Sequence, residues 1–326
     1  MKIRVLGWVA CLAAVAVGAR ADQVGSFHRS YTVSGPVQLR VATGSGSIRV
    51  SAAPGNSVSV DATIRNDDSG FFFGGASPDA VRRLEDHPPI TQVGNTIVIH
   101  SPRGWANHLS VSYVITTPAA TALVAHSGSG RITVEGLQRN VELGAGSGRL
   151  EVAEIGGSLR AQTGSGGIRF DKVGGEARLS TGSGSISGNE VVGPLSATSG
   201  SGHIRVERLD AGGDLHTASG GMELDSVQGD LTARAASGDI RVQGTLAGEH
   251  HWRFSTASGD ITISLPQSTR ARVRIQTASG GISVDHPTQR QSSWGHHTWE
   301  GVIGPPGTPP TAELAAVAAS GDVRIH

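Results

Sequence analysis

Ser129-Gly130-Arg131-Ile132-Thr133-Val134 and, 18 residues further on, Ser147-Gly148-Arg149-Leu150-Glu151-Val152 open the run of units that decides the fold. The apolar residue after each Ser-Gly-x returns at Ile168, Ile186, Ile204, Met222 and Ile240, always 18 positions apart, then at Ile261 and Ile282 after two steps of 21 and at Val323 after one of 41. The Ser-Gly-x-apolar element occurs eleven times, from Ser45-Gly46-Ser47-Ile48 to Ser320-Gly321-Asp322-Val323. A fixed short period marks structural units stacked on one another. Within a unit the apolar residues are Ile132, Val134, Leu137, Val141 and Leu143, which read as two period-2 pairs joined by a turn. No 3.6-residue period is present, which excludes a helical solenoid. The offsets also fail the six-residue spacing of a hexapeptide β-helix, which argues against the acyltransferases built on that scaffold.

One unit cannot fold alone. Its five buried side chains contribute about 1.5–3 kcal/mol each, whereas every ordered residue costs about 1–2 kcal/mol of backbone entropy. Stacking at about 4.8 Å lets each strand pair with the coils above and below and closes the interior into one column. The expected fold is therefore all-β: a single-stranded parallel β-helix, or β-solenoid, with about 18 residues per coil and the right-handed winding usual for parallel crossovers. Gly130, Gly148, Gly166, Gly184, Gly202, Gly220, Gly238, Gly259, Gly280 and Gly321 are read as structural turn residues, where positive φ is needed and the adjacent Ser bonds the turn backbone. Stacking also places Thr133, Glu151, Arg169, Ser187, Arg205, Glu223 and Arg241 in one outward row, with Glu151 meeting Arg169 and Glu223 between two arginines. On the other face Arg160 meets Arg178.

Residues 1–21 carry Lys2 and Arg4, an apolar run from Val5 to Val17 and Ala19-Arg20-Ala21, the pattern of a cleaved signal peptide. The run is too short to span a bilayer, and no transmembrane segment is expected in the mature chain. Cleavage removes the single cysteine, Cys11, so no disulfide is available. It leaves 24 basic against 27 acidic residues, a net charge of −3, which excludes nucleic acid as a main partner.

Residues 22–125 read as an N-terminal β-rich cap and first coil, with a helix at 77–86 opened by Ser77-Pro78-Asp79 and a hairpin at 90–99 turning on Gly94-Asn95. Residues 126–326 are the solenoid repeats, interrupted by a Pro-rich loop at 287–310 that holds five of the fourteen prolines.

Thr256-Ala257-Ser258-Gly259-Asp260-Ile261, Ala236-Ser237-Gly238-Asp239-Ile240, Ser279-Gly280-Gly281-Ile282, the Gly301-Val302-Ile303-Gly304 step and the closing Ser320-Gly321-Asp322-Val323-Arg324-Ile325 resemble the bacterial putative-adhesin family of unknown function, which is built on Ser-Gly-Asp-Ile repeats and related to the adhesin head GIN domains. The likeness covers residues 34–326. It implies an exported β-solenoid with no established reaction and no family catalytic residues. The Pro-rich insertion before the last repeat departs from the family pattern.

The signatures Gly-x-Ser-x-Gly, His-Glu-x-x-His and Gly-x-Gly-x-x-Gly are all missing. His250-His251 and His296-His297 would face opposite ways on a strand and are poor chelates. The repeat aspartates Asp239, Asp260 and Asp322 are read as turn residues. No catalytic residue, cofactor or metal is assigned. The aromatic residues Phe71, Phe72, Phe73, Trp105, Trp252, Trp294 and Trp299 lie in the irregular flanks, where they either contact an envelope glycan or protein or cap the open ends of the solenoid. The expected function is an exported, non-enzymatic scaffold or adhesin-like binding module of the cell envelope. It is placed in the periplasm, with the extracellular space or cell surface as the alternative. A polysaccharide lyase-like, carbohydrate-active enzyme on a parallel β-helix is the second reading.

Overall fold

Two long sheets face each other in the computed structural model, which describes residues 23–66, 78–102, 109–293, 297–307 and 310–326. One sheet has 14 strands and the other 15. Each regular coil gives one strand to each sheet, and successive coils pair in parallel. Ile132, Leu150, Ile168, Ile186, Ile204, Met222, Ile240 and Ile261 are register partners in single file along the 14-stranded sheet. Facing them on the 15-stranded sheet are Val141, Leu159, Ala177 and Leu195. Both files are buried, and they belong to one continuous core. The sheets pass through position 125 without a break, because Val37–Thr43 pairs with Thr121–Ser127 and Ile48–Ala52 with Ile132–Glu135.

The corner glycines sit where they are expected, for a different reason. Of the ten, only Gly238, Gly259 and Gly321 have positive φ. What the others supply is clearance. A Cβ on Gly166 would lie 1.9 Å from the carbonyl oxygen of Gly148, and one on Gly184 would lie 1.9 Å from that of Gly166. The corner bonds also come from another side chain than expected. The Ser of each Ser-Gly points to solvent, as at Ser165 and Ser183. The buried hydroxyl three residues before the glycine does the bonding. Thr163 Oγ1 donates to Gly148 O of the preceding coil (3.0 Å) and accepts the N–H of Gly166 (3.2 Å). Ser127, Thr181, Ser199 and Thr217 repeat the pattern. A ladder of hydroxyls thus satisfies backbone groups that a sharp corner would otherwise leave unpaired.

The outward rows keep the expected register, but the ion pairs are redistributed. Arg205 pairs with Glu223, while Glu151 is approached by Arg131 and Arg149, and Arg241 pairs with Asp239. Arg160 and Arg178 are neighbours, and Arg178 turns to Glu176 at 2.7 Å.

Both ends of the stack depart from sequential order. The coil formed by Val37–Thr43 and Ile48–Ala52 is second from the end, between the strands Thr96–Ile99 and Leu109–Thr117 on one side and Thr121–Ser127 and Ile132–Glu135 on the other. The chain's last coil, Glu313–Ser320 and Val323–Ile325, is likewise inserted. It lies between His251–Ser258 with Ile261–Ser264 and Ala271–Ser279 with Ile282–Val284. Residues 288–293 and 298–303, expected within a loop, are strands. They form an antiparallel hairpin, Thr288–Ser293 and Thr298–Ile303, that extends the 15-stranded sheet beyond Ala271–Ser279. Pro287, Pro305, Pro306 and Pro310 fall outside those strands, so the ladder between them loses no donor.

At the other end an antiparallel pair, Gln23–Thr32 and Ser57–Asn66, extends the 14-stranded sheet beyond Leu109–Thr117. The helix Pro78–Asp86 packs its buried Val81 and Leu84 there, and the hairpin Ile90–Val93 with Thr96–Ile99 turns at Gly94 (φ 59°). Beneath this cap, Tyr113 is fully buried, its hydroxyl without a partner among the described residues, edge-on to Phe27 at 6.4 Å. Burial drives the Tyr113 phenol above its ordinary range. Tyr113→Phe keeps the ring and removes the orphan hydroxyl, so chemical denaturation is expected to show a gain of about 1 kcal/mol. A loss of that size would mean the hydroxyl has a partner.

Candidate functional site

Intercalation of the last coil builds a site on the outer face of the 15-stranded sheet. Register aligns His251, Glu313, Arg272 and Val302 in one row across four strands, and Arg253, Ala315, Arg274 and Glu300 in the next. The third row holds Ser255, Val317, Gln276 and Thr298. Alternation points these side chains outward while Trp252, Leu314 and Val273 fill the core behind them. Ala315, with no side chain beyond Cβ, leaves a depression between Arg253 and Arg274. The resulting groove has a volume of about 550 Å³.

Most charges around it are already neutralised. Arg274 Nε lies 2.5 Å from Glu300 Oε1. Arg272 Nη1 lies 3.1 Å from Glu313 Oε1, and His251 Nε2 is 3.7 Å from Glu313 Oε2. At the groove's lower corner the His251 N–H donates to Asp230 at 2.8 Å. That bond, reinforced by the His250 imidazole, holds the Asp230 carboxyl below its ordinary value. Arg253 is exposed and has no ion-pair or hydrogen-bond partner among the described residues. Val317 is 45 % exposed beside it. No group of three or more metal-ligating side chains occurs among the described residues.

The aromatic residues singled out from the sequence do not converge here. Phe71, Phe72, Phe73, Trp105 and Trp294 lie outside the described residues. Trp252 is a correction: it is fully buried, its Nε1 donates to Gly229 O at 2.9 Å, and its ring stands edge-on to Phe254. It offers no contact surface. Residues 245–250 lengthen this coil by three positions, and the enlarged section takes the indole and Leu246 inside. Trp299 is also buried, opposite Ile275 in the hairpin, on the core side of the sheet. The groove residues escaped sequence reading because they come from four strands that are not consecutive. The alternation Ala312, Leu314, Ala316, Ala318 is the one local signal that the last coil begins well before its Ser320-Gly321 corner.

The repeat aspartates form a ladder at the corner of the 14-stranded sheet. Asp239 accepts the N–H of Asp260 (3.0 Å), Asp260 that of Asp322 (2.9 Å), and Asp322 that of Gly281 (2.8 Å). Arg241 clamps Asp239, and Arg324 clamps both Asp260 and Asp322. The Asp322 N–H and the Arg324 guanidinium hold the Asp260 carboxyl below its ordinary value of 3.8. A lowered folded-state value means that this contribution to stability is complete above about pH 4 and drains away as pH falls through the folded value. Thermal melts are expected to be flat from pH 7 to about pH 5 and to drop below pH 4. Asp260→Asn should flatten part of that acid limb, and an unchanged limb would remove the ladder from the explanation.

Fold and site together define a non-sequentially closed β-solenoid with a charged groove on one sheet. Toastrack DUF4097 is the family whose model matches, over residues 37–216 and 210–326, and the chain belongs to it. Solved structures that the chain matches include a "putative cell adhesion protein" from Clostridium sporogenes (8 % identity, TM-score 0.24, 92 % of this chain and 98 % of that one). Two others are a "putative adhesin" from Bacteroides fragilis (12 %, 0.31, 92 % and 97 %) and a "putative lipid binding protein" from Parabacteroides distasonis (12 %, 0.40, 94 % and 98 %). These likenesses are too distant to carry a ligand or an activity across. The curated proteins contain no match.

Proposed function

We propose that this chain is an exported, non-enzymatic β-solenoid scaffold that serves as an adhesin-like binding module of the bacterial cell envelope, residing in the periplasm. The leader pattern of residues 1–21 supports export. No helix among the described residues is long and apolar enough to cross a membrane. The observation that carries the binding reading is the grid around Ala315. Its guanidinium, carboxylate and imidazole groups project from a paired sheet, so the backbone that presents them is already ordered before binding. Its two carboxylates, Glu300 and Glu313, are each tied to an arginine. A general acid needs the opposite setting, an apolar one.

The test has two arms. The purified chain is incubated with washed envelope fractions and with a panel of envelope and plant polysaccharides. Retention on envelope material without release of new reducing or unsaturated ends is the expected result. Turnover of any polysaccharide would replace this reading with that of a polysaccharide lyase-like enzyme. Fractionation of cells expressing the full chain is expected to find it in the periplasmic extract, and recovery in the cytoplasm would sink the export reading.

A further inference from the structure

We infer that the depression over Ala315 is a subsite for a carboxylate-bearing sugar unit of an acidic polysaccharide, an inference that rests on reading the chain as a binding module. Arg253 and Arg274 stand on strands two positions apart, about 10 Å at the usual strand spacing, with Ala315 between them. Arg274 and Arg272 are already matched by Glu300 and Glu313, so the charge left to satisfy at the rim is that of Arg253. A planar guanidinium takes a carboxylate through paired N–H donors. The remaining wall offers what the rest of a pyranose ring needs. Glu300 and Glu313 have oxygens able to accept from hydroxyl groups, and Ala315 gives the C–H face of the ring an apolar floor, with the exposed Val317 just outside the groove on the same strand. A phosphate monoester would satisfy Arg253, but its charge of about −1.5 to −2 would also meet two carboxylates at close range. A monoanionic ring rich in hydroxyls fits all four walls. Last-coil insertion makes the subsite: direct stacking of the neighbouring coils would put Arg253 against Arg274 and leave no gap.

The experiment is calorimetric titration of the purified full chain with oligogalacturonate and with its fully methyl-esterified form, the same backbone without charge. Oligogalacturonate is expected to bind, and the ester to bind at least tenfold more weakly. Arg253→Ala should weaken oligogalacturonate about tenfold. Ala315→Leu, which fills the depression from the solvent side, should do the same with an unchanged melting curve. Arg160→Ala, which removes another exposed arginine on the same sheet that has no ion-pair or hydrogen-bond partner among the described residues, should leave binding as it is. Equal affinity for the ester, no binding of oligogalacturonate, or full affinity in Arg253→Ala would each overturn the subsite. If Arg253→Ala is still retained on envelope fractions as strongly as the parent, the subsite fails while the binding-module reading stands. If the parent itself is not retained, that broader reading fails.

Discussion

A chain ending at residue 311 is expected to lose far more structure than the coil it lacks. In an ordinary solenoid a terminal coil has one neighbour, and its removal exposes one face. Here the last coil has two. Ala271–Ser279 pairs only with Glu313–Ser320 and the hairpin, and Ile282–Val284 only with Val323–Ile325, among the described residues. Deleting residues 312–326 therefore cuts every strand pairing that ties residues 271–303 to the column. Leu314, Val323 and Ile325 leave with the segment, and Val273, Ile275, Trp299 and Ile303 lose the surface that buries them. At about 1.5–3 kcal/mol for each large side chain, the gross loss is on the order of 10–20 kcal/mol before released chain entropy is counted. Hydrogen exchange is the suitable measurement, because it resolves local from global opening. Amides of residues 271–303 should exchange at the rate of free peptide, while those of residues 132–244 keep their protection. The competing outcome is that Ala271–Ser279 slides directly onto His251–Ser258. That register puts Arg253 opposite Arg274, and like charges directly opposite are destabilising. Native protection across residues 271–303 in the truncated chain would show that insertion of the last coil is dispensable.

The same non-sequential closure explains what the amino-acid order reveals and what it hides. Parallel, in-register stacking writes itself into the sequence, since each coil must present an apolar residue to the same file. Ile132 to Ile240 is legible for that reason. The corner glycines are legible as positions but not as causes. The carbonyl that Gly166 must avoid belongs to Gly148, and closeness between coils is a tertiary property. The ends are illegible on principle. Ile282 follows Ile261 by 21 residues, a spacing that a sequential stack would also produce, and nothing local says that Val323 comes between them. The groove inherits that opacity, because Arg253, Arg274, Glu300 and Ala315 become neighbours only through the insertion. Trp252 shows a local signal overlooked: it alternates with Phe254 and Thr256, the pattern of an inward face, although it lies beside an irregular segment.

Within the strands of the regular stack, away from the corner glycines, the largest single-residue effect is expected at Gly188. The file behind the isoleucines reads Val134, Val152, Phe170, Gly188, Val206 and Leu224. One ring and one glycine thus replace two side chains of ordinary size. The Phe170 ring is buried and lies over Gly188, where an added Cβ would meet ring carbons Cε2 and Cζ at 2.3 Å. Gly188→Val forces that contact in an interior packed to crystal density, and the expected cost is about 3 kcal/mol. Phe170→Val alone opens a cavity above the glycine and should cost about 2–4 kcal/mol. The double variant Phe170→Val with Gly188→Val makes the file an unbroken run of valines between Val134 and Val206. All are then the same size and each is favourable on a strand, whereas an interior glycine is not. Its stability is expected to return to within about 1 kcal/mol of the parent, giving a coupling energy of about 4 kcal/mol or more. Urea midpoints of the four proteins measure the cycle directly. If the two single losses simply add in the double variant, the ring and the glycine are not one compensated pair, and the file tolerates each change by local backbone movement.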